Sequence, residues 1–577
     1  MSPRLLPTSF DYCLVGTSLP LAILACALSR TSSVLHVDEN SYYGEEYCYE
    51  VDFGGSPTTI NTKYGKGVFV GNDATGVSLG DPKLNHGRSW GIMFAPEYSR
   101  GMKRHLSPPN MVPVFLYGSG EGVKATIDSG ISDYLDFNNI AEVLYYGING
   151  QFNKVPSGKN EIFADGSLSA IDKRRVMKVC RLCYDLSRED SDAGTSCLHA
   201  NQKDNELRRS RSLNRPQNAP KPTPTLANCL GEEEDFKAFL LKSCNFKSDS
   251  DACNLVCYAL TLSPDPNPTT HSAVSLINKQ ASSIGIYTST MIAPMYGSGE
   301  FPQGFCRRAA VNGAVYVMRT NVRVGNGEVV LDSNEDDEMG GEKEKMFENE
   351  KVNVKRCFMI ANGGTRMICR VSALMRKHGG VSGHTLDGDG RIFVFPPTES
   401  YANPIHVVSG GRKLRWTEDD DYVWLTSSTM YEKEAGTRVN NGGIDKAAAI
   451  ESSMRAISAI TGDGWLLVWT STSCVPSGRG KDELEKDDDF VVKVSRPGHD
   501  LSLDSALIEA RRVYNYIKAK DGLEKEFIEK DAAERLEEDD FEDGEGDMMA
   551  RAMEGLSAEA IDVDIDVDAQ QSVKEGS

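Results

Sequence analysis

Three residues near the start of the chain stand where a dinucleotide-binding turn carries its glycines. That turn has the pattern G-x-G-x-x-G, and its three positions here are Gly16, Ser18 and Leu21. Ser18 adds a side chain where the phosphate would lie, and Pro20 removes a backbone donor from the first helical turn. Asp38 follows 22 residues after Gly16, where an acid that binds ribose belongs. The turn is therefore predicted to keep its place between strand and helix but to bind phosphate poorly.

The elements that must position this turn are a strand, a helix and a second strand. The apolar patterns predict them over 10–16, 19–29 and 33–38, which is the start of a βαβ unit. The predicted fold class is therefore α/β, with a Rossmann-like FAD/NAD(P)-binding frame. Bound FAD or NAD and a scaffold without nucleotide both remain open here, and the impaired turn favours the scaffold.

Length and charge limit the classes of function. A chain of 577 residues exceeds one simple core and indicates two or more domains. The net charge of −21 excludes a general nucleic-acid binder, and −16 of it lies in the tail 521–577, with 21 acidic and 5 basic residues. No apolar run is long enough to span a membrane, and no signal peptide is expected. Fourteen scattered cysteines are typical of reduced thiols, so we expect a cytosolic protein.

Composition and periodicity predict four regions. A strand-containing domain covers 1–157 and resumes over 289–520, and an all-helical domain is inserted at 158–288. Within that insertion, 187–227 is polar and rich in proline, which predicts disorder. The acidic tail 521–577 has no core periodicity and is also predicted to be disordered.

The remaining motifs do not indicate catalysis or metal binding. Cys180 and Cys183 form a single C-x-x-C without a second pair, so inert structural thiols are favoured over zinc. A calcium-like loop from Thr385 to Pro396 lacks its first ligand and its terminal glutamate. No nucleophile motif stands in a strand–helix setting. We therefore expect no catalytic residue, no cofactor and no metal.

Two long segments resemble a known family. "LVGTSLPLAILACALSRTSSVLHVDENSYYGEEY" and "MYGSGEFPQGFCRRAAVNGAVYVMR" are similar to two conserved blocks of the Rab GDP-dissociation inhibitors and Rab escort proteins. Shorter segments such as "GISDYLDF" are also similar. The chain departs from the family at Glu45, where the family has a second glycine, and at Ala314. The geometry at Glu45 is therefore open.

The resemblance implies a fold and a function. The family shares its large-domain fold with flavoprotein monooxygenases but uses it to hold a protein. The loss of glycines from the phosphate-binding turn would therefore not impair its function. Its members chaperone GDP-bound Rab GTPases, and the helical domain accommodates the geranylgeranyl group. Escort proteins present unprenylated Rab to the α/β heterodimer of Rab geranylgeranyltransferase and deliver the product to membranes, with transient membrane association.

Site residues follow from the resemblance position by position. The Rab-binding platform would include Tyr43, Glu300, Gln303, Arg307 and Val317. Each also has an ordinary structural interpretation. Tyr43 would equally close a loop, Glu300 would equally serve the dipole of a helix that begins nearby, and Arg307 would equally be a solvated charge.

The helical domain offers a second set of candidates. Phe236 is the candidate for an exposed aromatic anchor on the transferase, with Lys247 as its basic partner, although a phenylalanine spaced in this way from Phe239 is more often a core residue. Helical periodicity selects four apolar residues for the prenyl site, which core packing explains equally well: Val176, Val179, Leu255 and Ala259.

Three functions remain open after the sequence. The length and the insertions favour an escort protein over the shorter dissociation inhibitors, which recycle prenylated Rab from membranes. The third, from another class, is an FAD-dependent oxidoreductase, which the turn at Ser18 disfavours.

Overall fold

The computed structural model describes most of the chain up to residue 528. The described residues are 6–47, 61–62, 65–66, 68–69, 112–194, 235–248, 250–325, 327–333, 347–361, 366–376, 386, 389–398, 401–417, 422–432, 446–461, 465–474, 485–486, 490–496 and 501–528. The loop from Thr385 to Pro396 falls partly outside them.

One sheet of eight strands contains the beginning of the chain. Its strands are β1 (Ser9–Val15), β2 (Val34–Val37), β10 (Val315–Val317), β11 (Thr320–Gly325), β12 (Glu328–Ser333), β13 (Glu350–Ile360), β19 (Glu485–Lys486) and β20 (Val491–Val494). The order is β10-β2-β1-β13-β12-β11, with β20 paired to β13 and β19 to β20. β10, β2, β1 and β13 run parallel, so their carboxyl ends meet at one edge of the sheet.

A second sheet of ten strands completes the α/β architecture. Its strands are β5 (Val68–Phe69), β6 (Leu116–Tyr117), β7 (Phe137–Tyr146), β8 (Phe152–Lys154), β9 (Met291–Pro294), β14 (Arg366–Arg376), β15 (Gly390–Phe395), β16 (Ile405–Gly410), β17 (Tyr422–Glu432) and β18 (Trp465–Cys474). The order is β5-β18-β14-β17-β16-β15-β7-β9-β6, with β8 paired to β7. Two short strands, β3 (Asn61–Thr62) and β4 (Gly65–Lys66), pair with each other.

The helices of the described residues concentrate in the middle of the chain. They are α1 (Leu19–Leu28), α2 (Glu121–Asp128), α3 (Lys159–Ala164), α4 (Ala170–Gly194), α5 (Phe236–Ser243), α6 (Asp251–Asn254), α7 (Thr270–Ser282), α8 (Glu300–Val311), α9 (Lys446–Thr461) and α10 (Asp504–Asp521). A π-helical turn, Leu255–Ala259, continues α6. No helix among the described residues combines the length and apolar character needed to cross a membrane.

The predicted βαβ start is confirmed. β1 and β2 pair in parallel, with Val15 opposite Val37, and α1 connects them. All ten residues of α1 are buried, because the helix packs between α8 and α10 as well as against the sheet. Burial of each large aliphatic side chain stabilises the fold by about 1.5–3 kcal/mol. Pro20 is tolerated because it lies in the first turn, where its missing N–H has no partner inside the helix.

Two segments that are predicted to be disordered contain residues that the structure describes. α4 continues to Gly194, so 187–194 are helical, because polar and charged residues extend a helix once it is nucleated. The remainder, 195–227, lies outside the described residues. Residues 521–528 of the predicted tail are among the described residues: Asp521 binds Arg356 at 2.7 Å, and Phe527 packs on Tyr514 with ring centroids 5.5 Å apart. Residues 529–577 lie outside the described part.

Candidate functional site

The turn after β1 is organised around Asp38. Gly16 has φ +93°, a left-handed conformation that suits glycine. Thr17 donates from its backbone N–H (2.8 Å) and its hydroxyl (2.5 Å) to Asp38 Oδ2. Asn40 donates from its backbone N–H (2.8 Å) and its side-chain amide (2.7 Å) to Asp38 Oδ1. Both carboxyl oxygens of Asp38 therefore accept hydrogen bonds from the protein itself. In a dinucleotide site, the corresponding oxygens would bind the ribose.

Burial controls the ionisation of Asp38. The side chain is only 1% exposed, and this burial raises its pKa, while the bonds from Thr17 and Asn40 act in the opposite direction. The hydroxyl of Thr17 also accepts the backbone N–H of Gly44 at 2.8 Å. The network thus ties the loop after β2 to the turn after β1.

Helix α8 presents two of the platform candidates. Phe301, Phe305 and Ala309 are fully buried, so the opposite face of α8 is directed outward. Gln303 and Arg307 are exposed on that outer face, one helical turn apart. The Arg307 guanidinium lies 4.2 Å from the ring centroid of Tyr134. Such a cation–π contact holds the charge in a defined place at the surface.

Glu300 lies at the first position of α8. Its carboxylate accepts the backbone N–H of Tyr296 at 3.3 Å. Burial raises the pKa of Glu300 to about 7, the bond from Tyr296 lowers it, and Asp136 raises it further. The position is compatible with both the platform and the helix-dipole interpretation.

Tyr43 joins the loop after β2 to the same region. Its ring meets that of Tyr316 on β10 edge-on, with centroids 5.5 Å apart. Burial raises the pKa of Tyr43, and the Cys306 thiol of α8 and Asp38 add to the effect. The loop, β10 and α8 therefore meet around Tyr43, which is half-buried.

Val317 does not share this surface. Its side chain is 6% exposed and belongs to the apolar core that also contains Leu35 and Val37. The reason is its place in β10, which pairs with β2 at Val37 and turns the side chain into the core. Val317 could therefore contact a partner only if it left the core.

Phe236 is also buried, contrary to the prediction of an exposed anchor. Its side chain is 0% exposed and stacks on Phe239, with centroids 6.2 Å apart and an angle of 15° between the rings. The side chain of Asp235 accepts the Lys237 N–H and starts α5 so that this face points inward. This burial favours the core interpretation of Phe236 over the anchor interpretation. Lys247 is exposed, as a basic contact requires.

The four prenyl candidates lie together. Val176 and Val179 on α4 belong to the same apolar cluster as Leu255 and Ala259, and each of the four is 0% exposed. A lipid would reach these buried side chains only if the packing around them opened. The arrangement is compatible with core packing and with a site that opens on binding.

Two tyrosines of this region were not selected from the sequence. Tyr134 supports Arg307, and Tyr316 supports Tyr43. Tyr134 stands in "GISDYLDF", a segment with the family resemblance, so that signal was present. No group of three or more metal-ligating side chains occurs among the residues that the structure describes.

We expect Glu300→Gln to change how stability depends on pH. The pKa of Glu300 is about 7 in the folded chain and 4.5 ordinarily, so the folded state holds the proton more tightly. The stability that this proton provides is complete below pH 4.5 and is lost as pH rises to 7. Glutamine keeps the acceptor for Tyr296 but carries no charge. The variant should therefore be more stable than the natural chain at pH 8, where Glu300 is charged. The gain is on the order of 1 kcal/mol after allowance for solvent screening.

Urea unfolding at pH 5 and pH 8 measures this difference. The exposed Glu348 provides a control, and Glu348→Gln should change the free energy of unfolding by no more than about 0.5 kcal/mol. An equal effect of Glu300→Gln at both pH values would contradict the prediction.

Comparisons with known proteins agree with this fold. The sequence model of the family described as GDP dissociation inhibitor matches residues 68–209 and 240–376. The second range contains the segment Met295–Arg319, whereas the segment Leu14–Tyr47 lies outside both ranges. The crystal structure of Rab GDI from Plasmodium falciparum superposes with a TM-score of 0.55 at 14% identity, over 89% of this chain and 99% of that one. This likeness concerns the fold.

Curated relatives extend the match. "Rab proteins geranylgeranyltransferase component A 1" of Caenorhabditis elegans is 26% identical over 339 residues, which are 54% of this chain and 59% of that protein. "Rab escort protein 1" of Arabidopsis thaliana is 25% identical over 344 residues, or 55% of each chain. The match thus spans somewhat more than half the length of these relatives. The chain is therefore similar, over about half of its length, to proteins of the GDP dissociation inhibitor family.

Proposed function

We infer that the chain is a Rab escort protein. In this role it binds a GDP-bound, unprenylated Rab GTPase, presents it to the geranylgeranyltransferase heterodimer and delivers the product to membranes. It works in the cytosol, associates with membranes transiently and leaves the chemistry to the heterodimer. Relatives named Rab escort protein and geranylgeranyltransferase component A support this proposal.

The outer face of α8 carries the proposal. Gln303 offers both a donor and an acceptor, and Arg307 offers a cation that the ring of Tyr134 holds in place. A side chain that is fixed before binding loses less conformational entropy when a partner docks. Tyr43 adds a rigid aromatic contact beside them, and Glu300 adds an acid at the start of the helix.

The helical region 158–288 would receive the lipid in this proposal. The four candidates belong to one large apolar cluster to which both α4 and the π-helical turn contribute: Val176, Val179, Leu255 and Ala259. Each buried CH₂ of an isoprenoid contributes about 0.8 kcal/mol, which would offset the cost of opening the cluster. The exposed Lys247 remains a candidate contact for the transferase.

Reconstituted prenylation tests the function. Purified transferase heterodimer should geranylgeranylate a Rab–GDP only when this chain is added. A transferase that works equally well without the chain would reject the escort proposal. The fold likeness to a Rab GDI favours one alternative, a dissociation inhibitor, which would extract prenylated Rab–GDP from membranes and support little prenylation.

Arg307→Ala tests the site itself. We expect Rab–GDP to bind at least about tenfold more weakly, because a fixed arginine at a protein interface is worth about 1.4 kcal/mol or more. Calorimetry of the full-length chain with Rab–GDP measures the affinity. Arg455→Ala removes an exposed arginine of α9, 49% exposed, and serves as the control with unchanged affinity. Equal affinities of the two variants would remove α8 from the platform.

A further inference from the structure

The dinucleotide turn of this chain is occupied by one of its own side chains. The carboxyl group of Glu45 lies beside the backbone N–H of Ser18, the residue that precedes α1, and this N–H opposes the rise in the pKa of Glu45 that burial causes. A Cβ atom placed on Gly16 would lie 1.9 Å from Glu45 Oε1, so the carboxyl group rests directly on the face of Gly16. In a dinucleotide site, the pyrophosphate takes this position and this donor.

The backbone of Glu45 shows that this placement is specific. Its φ is +43°, the left-handed region that non-glycine residues rarely enter and that costs on the order of 1 kcal/mol. The resembling family has glycine here, which adopts this conformation freely. Glutamate therefore occupies a position whose backbone suits glycine, and the contacts of its side chain on the turn offset the strain.

The surroundings of Glu45 favour a carboxyl group over a phosphate. Burial raises the pKa of Glu45 well above its usual range, and Glu46 and Asp38 raise it further, while Arg496 lowers it. A protonated carboxyl group still accepts an N–H. A pyrophosphate would bring several negative charges beside the same acids. Arg496 is already paired, since its Nη1 lies 2.5 Å from Glu46 Oε1.

The residues present therefore do not fit the cofactor that the fold implies. We propose that Glu45 is a built-in occupant of the dinucleotide turn, and that its carboxyl group excludes FAD, NAD and other pyrophosphate ligands from this chain. The Ser18 hydroxyl, 1% exposed and without a hydrogen-bond partner among the described residues, remains as a donor that an anion could use once the carboxyl group is removed.

A pair of substitutions isolates the occupant. Glu45→Gln keeps the size of the side chain and its acceptor, whereas Glu45→Gly removes the side chain and suits the φ of +43°. The probes are inorganic pyrophosphate, titrated by calorimetry into the full-length chain, and FAD, followed by flavin absorbance after desalting. The natural chain and Glu45→Gln should bind neither. Glu45→Gly should bind pyrophosphate with a Kd of about 1 mM or tighter.

Several outcomes would overturn the proposal. Retention of FAD by the natural chain would do so, and so would equal pyrophosphate binding by the glycine and glutamine variants. Circular dichroism checks folding, and Glu45→Ala provides a second variant that lacks the carboxyl group. If neither of these two variants folds, the carboxyl group serves the fold and the proposal fails. Rab binding is measured separately on the same variants, so the two proposals can fail independently.

Discussion

Replacement of Phe236 by alanine is expected to destabilise the chain by about 3–5 kcal/mol. The ring is fully buried, stacks on Phe239 and lies in the apolar cluster that contains the prenyl candidates. Its removal loses the transfer free energy of a large side chain and leaves a cavity that the neighbouring helices fill only in part. The loss is large because the whole ring is enclosed, so no water can replace its contacts.

Two controls distinguish this core role from a role in docking. Phe236→Leu keeps most of the volume and should cost less than about 1.5 kcal/mol. Lys247→Ala changes an exposed residue and should alter stability by no more than about 0.5 kcal/mol. Urea unfolding measures all three variants, and pull-down of the transferase heterodimer measures docking. A Phe236→Ala variant that keeps its stability but no longer binds the transferase would restore the anchor interpretation.

The case of Phe236 shows what helical periodicity can and cannot predict. The spacing correctly places Phe236, Phe239 and Leu240 on one face of α5. It does not indicate whether that face meets the core or a partner protein, because both environments select apolar residues. Only the packing of α5 inside the cluster decides the question. The same limit applies to Val176 and Leu255, whose burial suits both core and lipid.

The beginning of the fold was predictable because local patterns determine it. A buried strand, an apolar helix and a second buried strand require a parallel βαβ unit, and the structure has them within one or two residues. The resemblance selected Gln303 and Arg307 for the Rab-binding platform, and the structure exposes both on one face of α8. The resemblance did not show that Tyr134 lies under Arg307, because that contact joins residues far apart in the chain.

The occupation of the turn was not predictable from the sequence. The missing glycines indicate that phosphate binding is weakened, and the structure adds that the Glu45 carboxyl group lies against Gly16. This contact depends on the path of the loop after β2, which the sequence pattern does not specify. The departure from the family at Glu45 was visible, but the chemistry of a carboxyl group in that place required the fold.

Asp38→Ala is expected to destabilise the chain by about 3–5 kcal/mol. The carboxylate accepts four hydrogen bonds at 2.5–2.8 Å from Thr17 and Asn40, two of them from backbone N–H groups. Alanine leaves these donors without an acceptor in a site that is 1% exposed, and each unpaired buried group costs about 1–3 kcal/mol. The loss is smaller than the summed cost of four unpaired donors, because the loop relaxes and admits water.

Neighbouring substitutions test whether the acceptor oxygens cause this effect. Asp38→Asn keeps one oxygen but directs an amide N–H₂ toward donors, so it should be destabilised to a lesser extent than Asp38→Ala. The exposed Glu39 gives the matched control, and Glu39→Ala should change the free energy of unfolding by no more than about 0.5 kcal/mol. The urea midpoints of the three variants at pH 7 decide the order. If Asp38→Ala and Glu39→Ala have the same urea midpoint, the hydrogen bonds of Asp38 do not stabilise the fold. The loop that carries Tyr43 must then be held by other contacts.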